Sequence, residues 1–236
     1  MTKAKTRSRP ASPKKIEPMS LIAADDDDLQ SYFLTLSDLL SHTAATDPDG
    51  GTRKLSDAVN WIMRKARNVH AAGNKLIFVG NGGSAAVASH MATDYSKNGN
   101  VRAMAFNDAS MLTCLGNDLG YERVFAKQIE LYARKGDLVF VISSSGRSAN
   151  ILNAAEAARA AGCTVITLSG FTADNPLRKM GHINFFIDSD RYGFVEIGHL
   201  TICHAILDFL CGLHALRADA SADISSYAVP KAVASK

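Results

Sequence analysis

The apolar positions along this chain change period several times, and each change marks an element. Leu29, Phe33, Leu36 and Leu40 recur at three- and four-residue spacing behind the acidic run Asp25 to Asp28, which predicts a helix with carboxylates at its positive end. The cluster Asp47-Pro48-Asp49-Gly50-Gly51 predicts the turn that ends it. Leu55, Val59, Ile62, Met63, Ala66 and Val69 then share one helical face, up to a stop near Gly73. At Leu76 the pattern switches. Leu76-Ile77-Phe78-Val79 is an unbroken apolar run, as a parallel strand covered on both faces requires. It enters the turn Gly80-Asn81-Gly82-Gly83-Ser84 and an alanine-rich helix through His90 and Asp94. A strand is expected near Arg102 to Phe106, and a helix from about Tyr121 to Arg134. The next strand, Leu138 to Ile142, runs into Ser143-Ser144-Ser145-Gly146-Arg147-Ser148 and a helix to Ala161. Strands at Thr164 to Leu168 and Ile183 to Ile187, then a long helix from about Phe194 to Leu216, complete the pattern.

Strands alternating with helices through short connections imply an α/β fold. We expect a three-layer sandwich, flavodoxin-like, with a parallel sheet wrapped by helices through right-handed crossovers. Ligands of such sheets bind beyond the carboxyl ends of the strands, so the two polar turns at strand ends mark the candidate site.

Composition adds boundaries. A chain of 236 residues, 47% hydrophobic and 21% charged, suits one α/β domain with a proper core. The formal charge of +3 gives no polyanion-binding surface, but it is unevenly placed. The first twenty residues hold six basic side chains against one acid, Glu17, together with Pro10, Pro13 and Pro18. We read residues 1–25 as a disordered basic tail, 26–218 as the domain, and 219–236 as a flexible tail of small and polar residues. The basic tail reads as a solvated extension, with neither nucleic acid nor membrane as partner. No apolar run follows it at signal length or approaches about 20 residues, so a cytoplasmic location is expected. Cys114, Cys163, Cys203 and Cys211 sit among apolar neighbours without CxxC spacing, and are expected as reduced core residues.

The serine turn offers hydroxyls and backbone N–H groups at a helix start, which suits a phosphate. A serine-capped helix start is the plainer alternative, although four serines in six residues exceed what capping needs. The glycine turn lacks the Gly-Lys-Ser/Thr ending of a Walker loop, and it does not match GxGxxG, so a nicotinamide cofactor has little support. His90 and Asp94 are four apart and stack on one helical face. Glu196 and His204 are eight apart and share a face with a drift of about 80°, and His199 could reach the same side. Two imidazoles and two carboxylates make a donor set that suits zinc, and a buried polar network is the alternative.

Taken together, Gly80-Asn81-Gly82-Gly83-Ser84-Ala85-Ala86 running to His90, Gly116-Asn117-Asp118-Leu119-Gly120-Tyr121, the serine turn through Asn150, and the helix with His199 and His204 resemble the phosphoheptose isomerase branch of the sugar isomerase (SIS) family. The likeness spans roughly residues 30–215. It implies the SIS fold and a homotetramer whose first two helices lie at the subunit interface. It implies an aldose–ketose isomerase acting on sedoheptulose 7-phosphate or a close relative through an enediol(ate), with a small sugar phosphate as its partner. On that likeness Ser143, Ser144, Ser145 and Ser148, with Asn81, Gly82 and Ser84, hold substrate, and Asp108 contacts it. His90, Asp94, Glu196 and His204 hold Zn2+, and Asp94 and His204 move protons. Three positions depart from the family: Asp94 stands for glutamate, Glu196 for glutamine, and Gly193 for aspartate. A non-catalytic SIS module that binds or senses a sugar phosphate is the other reading.

Overall fold

The structure, a computed structural model, describes residues 23–212. The two tails, the end of the last predicted helix beyond Gly212, and both boundaries of the expected domain division lie outside or at the edge of those residues. The described residues fall into two units, one ending at Thr35 and one beginning at Leu36.

The first unit is most of helix α1, Asp26–Ser41. Its start is pinned by a reciprocal box: Asp28 N–H donates to Asp25 Oδ1 at 2.9 Å and Asp25 N–H to Asp28 Oδ2 at 3.2 Å. Three carboxylates in the first turn meet the positive end of the helix. No residue of α1 is buried, and Leu29, Phe33 and Leu34 are exposed.

The second unit holds the sheet. After α1 come β1 (Ala44–Thr46), β2 (Thr52–Arg53), α2 (Leu55–Ala71), β3 (Leu76–Gly80), α3 (Gly83–Lys97) and β4 (Ala103–Ala105). Then follow α4 (Ala109–Leu119), a 3-10 turn at Tyr121–Arg123, α5 (Val124–Tyr132), β5 (Leu138–Ser143) and α6 (Ala149–Ala160). The last elements are β6 (Thr164–Ser169), a 3-10 turn at Pro176–Lys179, β7 (Ile183–Phe186) and α7 (Tyr192–Leu210). The seven strands lie in the order β2-β1-β7-β6-β5-β3-β4. Five are parallel, and β1 pairs antiparallel with both β7 and β2. The sheet is therefore mixed rather than wholly parallel, because the Asp47 turn closes a short hairpin as well as ending the first helix region. Asp47 Oδ1 accepts from Gly51 N–H at 2.7 Å and from Asp49 N–H at 3.2 Å to close it.

Every residue of β3 and β5 is buried, as their apolar runs require. One core fills the space between the sheet, α2, α3 and α7, and a second lies under α5 and α6. Within the first, Phe78 and Phe140 stack across adjacent strands with ring centroids 4.7 Å apart. Helix α7 is 19 residues long with a mean hydropathy of 1.3, enough by length and composition to cross a bilayer. Val195, Ile202, Cys203 and Ile206 bury it against α2, α3 and the sheet, as in a core helix.

Two further differences from the sequence reading have plain causes. Helix α4 has no counterpart among the expected elements; it buries no residue fully, so its apolar stripe is weak. Asp108 caps it, accepting from Met111 N–H at 2.9 Å. Only Cys163 and Cys203 are core residues, with burial pushing their thiols up to about 11 and about 12, and all four cysteines are unpaired. Cys114 and Cys211 are exposed instead, one on the lightly buried α4 and the other at the end of α7.

Candidate active site

The parallel strands run in the order β7-β6-β5-β3-β4, so the chain moves outward in opposite directions from the β3–β5 pair. This is the topological switch point, where a crevice opens beyond the strand ends. Gly80 and Ile142 pair at those ends, and each strand continues directly into its polar turn. The result is a cleft of about 250 Å³. Asn81, Gly82, Ser84, Ser143, Ser144, Ser145 and Ser148 all line it, with Gly83, Tyr192 and Glu196 beside them.

The serine turn is not an ordinary cap. Ser148 occupies the N-cap of α6, yet its side chain makes no capping bond. Ser144 Oγ is buried with no hydrogen-bond partner among the described residues. A buried hydroxyl without a partner carries a cost of about 1–3 kcal/mol, which an anion accepting its proton removes. Gly146, at φ +60°, lets the turn fold back so that its N–H donates to Ser143 Oγ at 3.1 Å. Arg147 does not enter the cleft; it is held outside by Asp174 at 2.7 Å and Thr172 at 3.3 Å.

A polar lock ties the two turns together. Asn81 Nδ2 donates to Asn150 Oδ1 and Asn150 Nδ2 donates to Asn81 Oδ1, each at 2.9 Å. The Tyr121 hydroxyl adds a third bond to Asn81 Oδ1 at 3.2 Å. Both amides are thus fixed in one orientation. The sequence pattern does not single out Tyr192, which lines the cleft, or Asn150 and Tyr121, which bond to Asn81. Asn150 and Tyr121 stand within recognised motifs, but nothing in spacing announces a cross-turn amide pair.

Helices α3 and α7 lie side by side and meet at two polar points. At the cleft, Gly83 faces the Glu196 carboxylate, which occupies the space a β-carbon would need. Farther along, His90 Nε2 and His204 Nε2 lie 3.1 Å apart, and His90 Nε2 is 3.4 Å from Asp94 Oδ2. One ligand atom from each of His90, Asp94 and His204 falls within 4.8 Å of the others. The His90 side chain is 51% exposed and Asp94 19%, so the group is open to a ligand.

Glu196 does not join it. Eight residues of helix rise about 12 Å, so sharing a face with His204 does not bring the two ends together. His199 does not join it either: it is wholly buried, its Nε2 donating to Ser169 O at 3.1 Å. Burial pushes its pKa down to about 4, which keeps the ring neutral, and its Nδ1 has no partner among the described residues. Asp108 is not among the residues lining the cleft, since its carboxylate is engaged at the start of α4.

A serine-lined cleft at the switch point and two facing imidazoles lie on the same pair of helices of an α/β domain. The SIS domain family profile matches residues 32–170. The chain is 35% identical over 163 residues to the phosphoheptose isomerase of Citrifermentans bemidjiense, covering 66% of this chain and 84% of that one. To the phosphoheptose isomerase of Trichlorobacter lovleyi it is 40% identical over 144 residues, covering 58% and 73%. The solved phosphoheptose isomerase of Neisseria gonorrhoeae superposes with a TM-score of 0.67 at 27% identity, covering 78% of this chain and 98% of that one. This chain belongs to the SIS domain family, in its phosphoheptose isomerase branch, and is an isomerase.

Proposed function

We propose that this sugar-phosphate isomerase interconverts sedoheptulose 7-phosphate, or a closely related sugar phosphate, with the corresponding aldose through an enediol(ate). The observation that carries the reading is the facing pair His90 and His204 on the same two helices that wall the serine cleft. In this reading the phosphate sits against Ser143, Ser144, Ser145 and Ser148, with Asn81, Gly82 and Ser84 completing the cradle.

Distance along α3 supports a long sugar. Ser84 precedes His90 by six residues, a rise of about 9 Å. Seven single bonds separate phosphorus from C2 in an extended heptulose 7-phosphate, and at about 1.2 Å each they span about 8 Å. A phosphate in the cradle thus delivers C1 and C2 to the histidines. A pentulose phosphate, two carbons shorter, falls short by about 2.4 Å.

His90, Asp94 and His204 fit a zinc ion. Two imidazole nitrogens at the usual 2.0–2.1 Å in a tetrahedral site stand about 3.3 Å apart, close to the 3.1 Å between the two Nε2 atoms. These three side chains would hold the ion, which would supply a Lewis acid toward the sugar oxygens. The Asp94 carboxylate has two oxygens, so one can face the cation while the other takes the proton from C1 and returns it at C2. His204 carries the hydroxyl proton, serving by turns as ligand and as proton carrier at Nε2, because one lone pair cannot do both at once. The phosphate contacts fix the orientation in which these transfers occur.

We place the enzyme in the cytoplasm, with its domain over residues 26–218, as a homotetramer. The exposed Leu29, Phe33 and Leu34 of α1 support an interface on that helix. Light scattering should then give four times the 25.2 kDa of the chain. The test of activity is a panel of C5, C6 and C7 ketose phosphates with His204→Ala as control. The C7 substrate should turn over fastest, and the variant should fail. Binding without turnover of any member would favour a sensing module, and an unchanged rate in the variant would remove this mechanism.

A further inference from the structure

A second basin lies at the opposite end of the sheet, against the amino ends of β3, β4 and β5. It has a volume of about 450 Å³ and is lined by residues including Lys75, Arg102, Met104, Leu131, Tyr132 and Arg134. That size lies within the usual range for small-molecule sites.

Its charge is lopsided. One carboxylate, Asp137, is present, and it is fully buried and already engaged. It accepts from Lys75 N–H at 3.0 Å, Arg134 N–H at 2.8 Å and Lys75 Nζ at 2.6 Å. The guanidiniums of Arg102 and Arg134 have no hydrogen bond or ion pair among the described residues. Two free guanidiniums offer paired N–H donors of the kind that grip phosphate oxygens, and Lys75 keeps two of its three donors. Beside them is an apolar wall. Tyr132 is 46% exposed, its ring supported by Phe106 with centroids 6.0 Å apart, and Leu131 is 55% exposed.

The C-termini of α2 and α5 also reach this end, and their carbonyls attract cations. That accounts for basic residues here, but not for a cavity with an exposed ring between them. We propose that this basin binds a nucleoside diphosphate, with its phosphates on Arg102 and Arg134 and its base against Tyr132 and Leu131. The site is separate from the serine cleft, because parallel strands set their amino and carboxyl ends on opposite edges of the sheet. It therefore stands or falls independently of the substrate proposed above.

Calorimetric titration of the full chain with ADP, UDP, inorganic pyrophosphate and adenosine tests it. At least one nucleoside diphosphate should bind saturably at one per chain. Pyrophosphate and adenosine should each bind at least tenfold more weakly. Arg102→Ala with Arg134→Ala should weaken nucleotide binding at least tenfold. If that variant does not fold, Arg102→Lys with Arg134→Lys keeps the charge, removes the fork, and should weaken binding at least threefold. Ser144→Ala with Ser148→Ala should leave it unchanged. Four results would overturn the proposal: no saturable binding, binding indifferent to the arginines, pyrophosphate as tight as the nucleotide, or loss of binding in the serine variant.

Discussion

Two histidines on α7, five residues apart, have opposite fates. Five residues turn a helix by about 140°, so the two rings cannot share a neighbour. His199 faces the sheet, is wholly buried, and donates a hydrogen bond to a backbone carbonyl of β6. His204 faces α3, is partly exposed, and meets His90. The residue type is the same; the face decides whether the ring is buried against a strand or set opposite a second imidazole. The buried imidazole and the facing one should therefore respond to different perturbations.

The largest expected difference is in turnover. His204→Ala should lower kcat for the C7 substrate by at least about a thousandfold, combining lost proton transfer with lost metal binding. Bound zinc should fall with it, while His199→Gln keeps its zinc. Equal metal loss in both variants would erase the distinction.

Acid stability comes next, and here the roles reverse. His199 takes up a proton near 6.5 when unfolded but only near 4 when folded. Between those values the unfolded state binds more protons, so stability falls as pH drops from about 6.5 to about 4. The loss attributable to this ring approaches about 3 kcal/mol at the lower end, because each tenfold difference in proton affinity between the two states is worth about 1.4 kcal/mol. Urea unfolding at stepped pH should show the slope, and His199→Gln should flatten it. An unaltered slope in that variant would assign the acid sensitivity elsewhere.

The smallest effect should come from the amide lock, which touches neither ring pair. Asn150→Ala frees the Asn81 amide, which then keeps only the Tyr121 bond. We expect kcat/KM to fall about tenfold, near 1.4 kcal/mol, with zinc content unchanged. A drop in bound metal would tie the lock to the histidine cluster instead.

Much of this is legible in the chain, for identifiable reasons. The apolar runs at Leu76 and Leu138 are too continuous for anything but buried parallel strands, and both polar turns follow from where those strands stop. Four serines around Gly146 exceed what a helix start needs; in the fold Ser148 makes no capping bond and the Ser144 hydroxyl has no partner among the described residues. His90 and Asp94 can be paired because four residues bring side chains together both in angle and in height. Glu196 cannot be placed the same way. Its angular match to His204 conceals a rise of two turns, and the carboxylate comes to rest against Gly83 instead. The hairpin of β1 and β2 is hidden because strands of three and two residues carry no period to read. The contact between His90 and His204 depends on how α3 and α7 pack, which no local pattern encodes.

The most direct test is the initial rate of aldose formation from sedoheptulose 7-phosphate by chelator-stripped protein as zinc is added back. The rate should begin near zero and rise to a plateau at one zinc per chain. Full turnover before any zinc is added, or none at any ratio, would contradict a shared cation between His90 and His204 as the centre of this site.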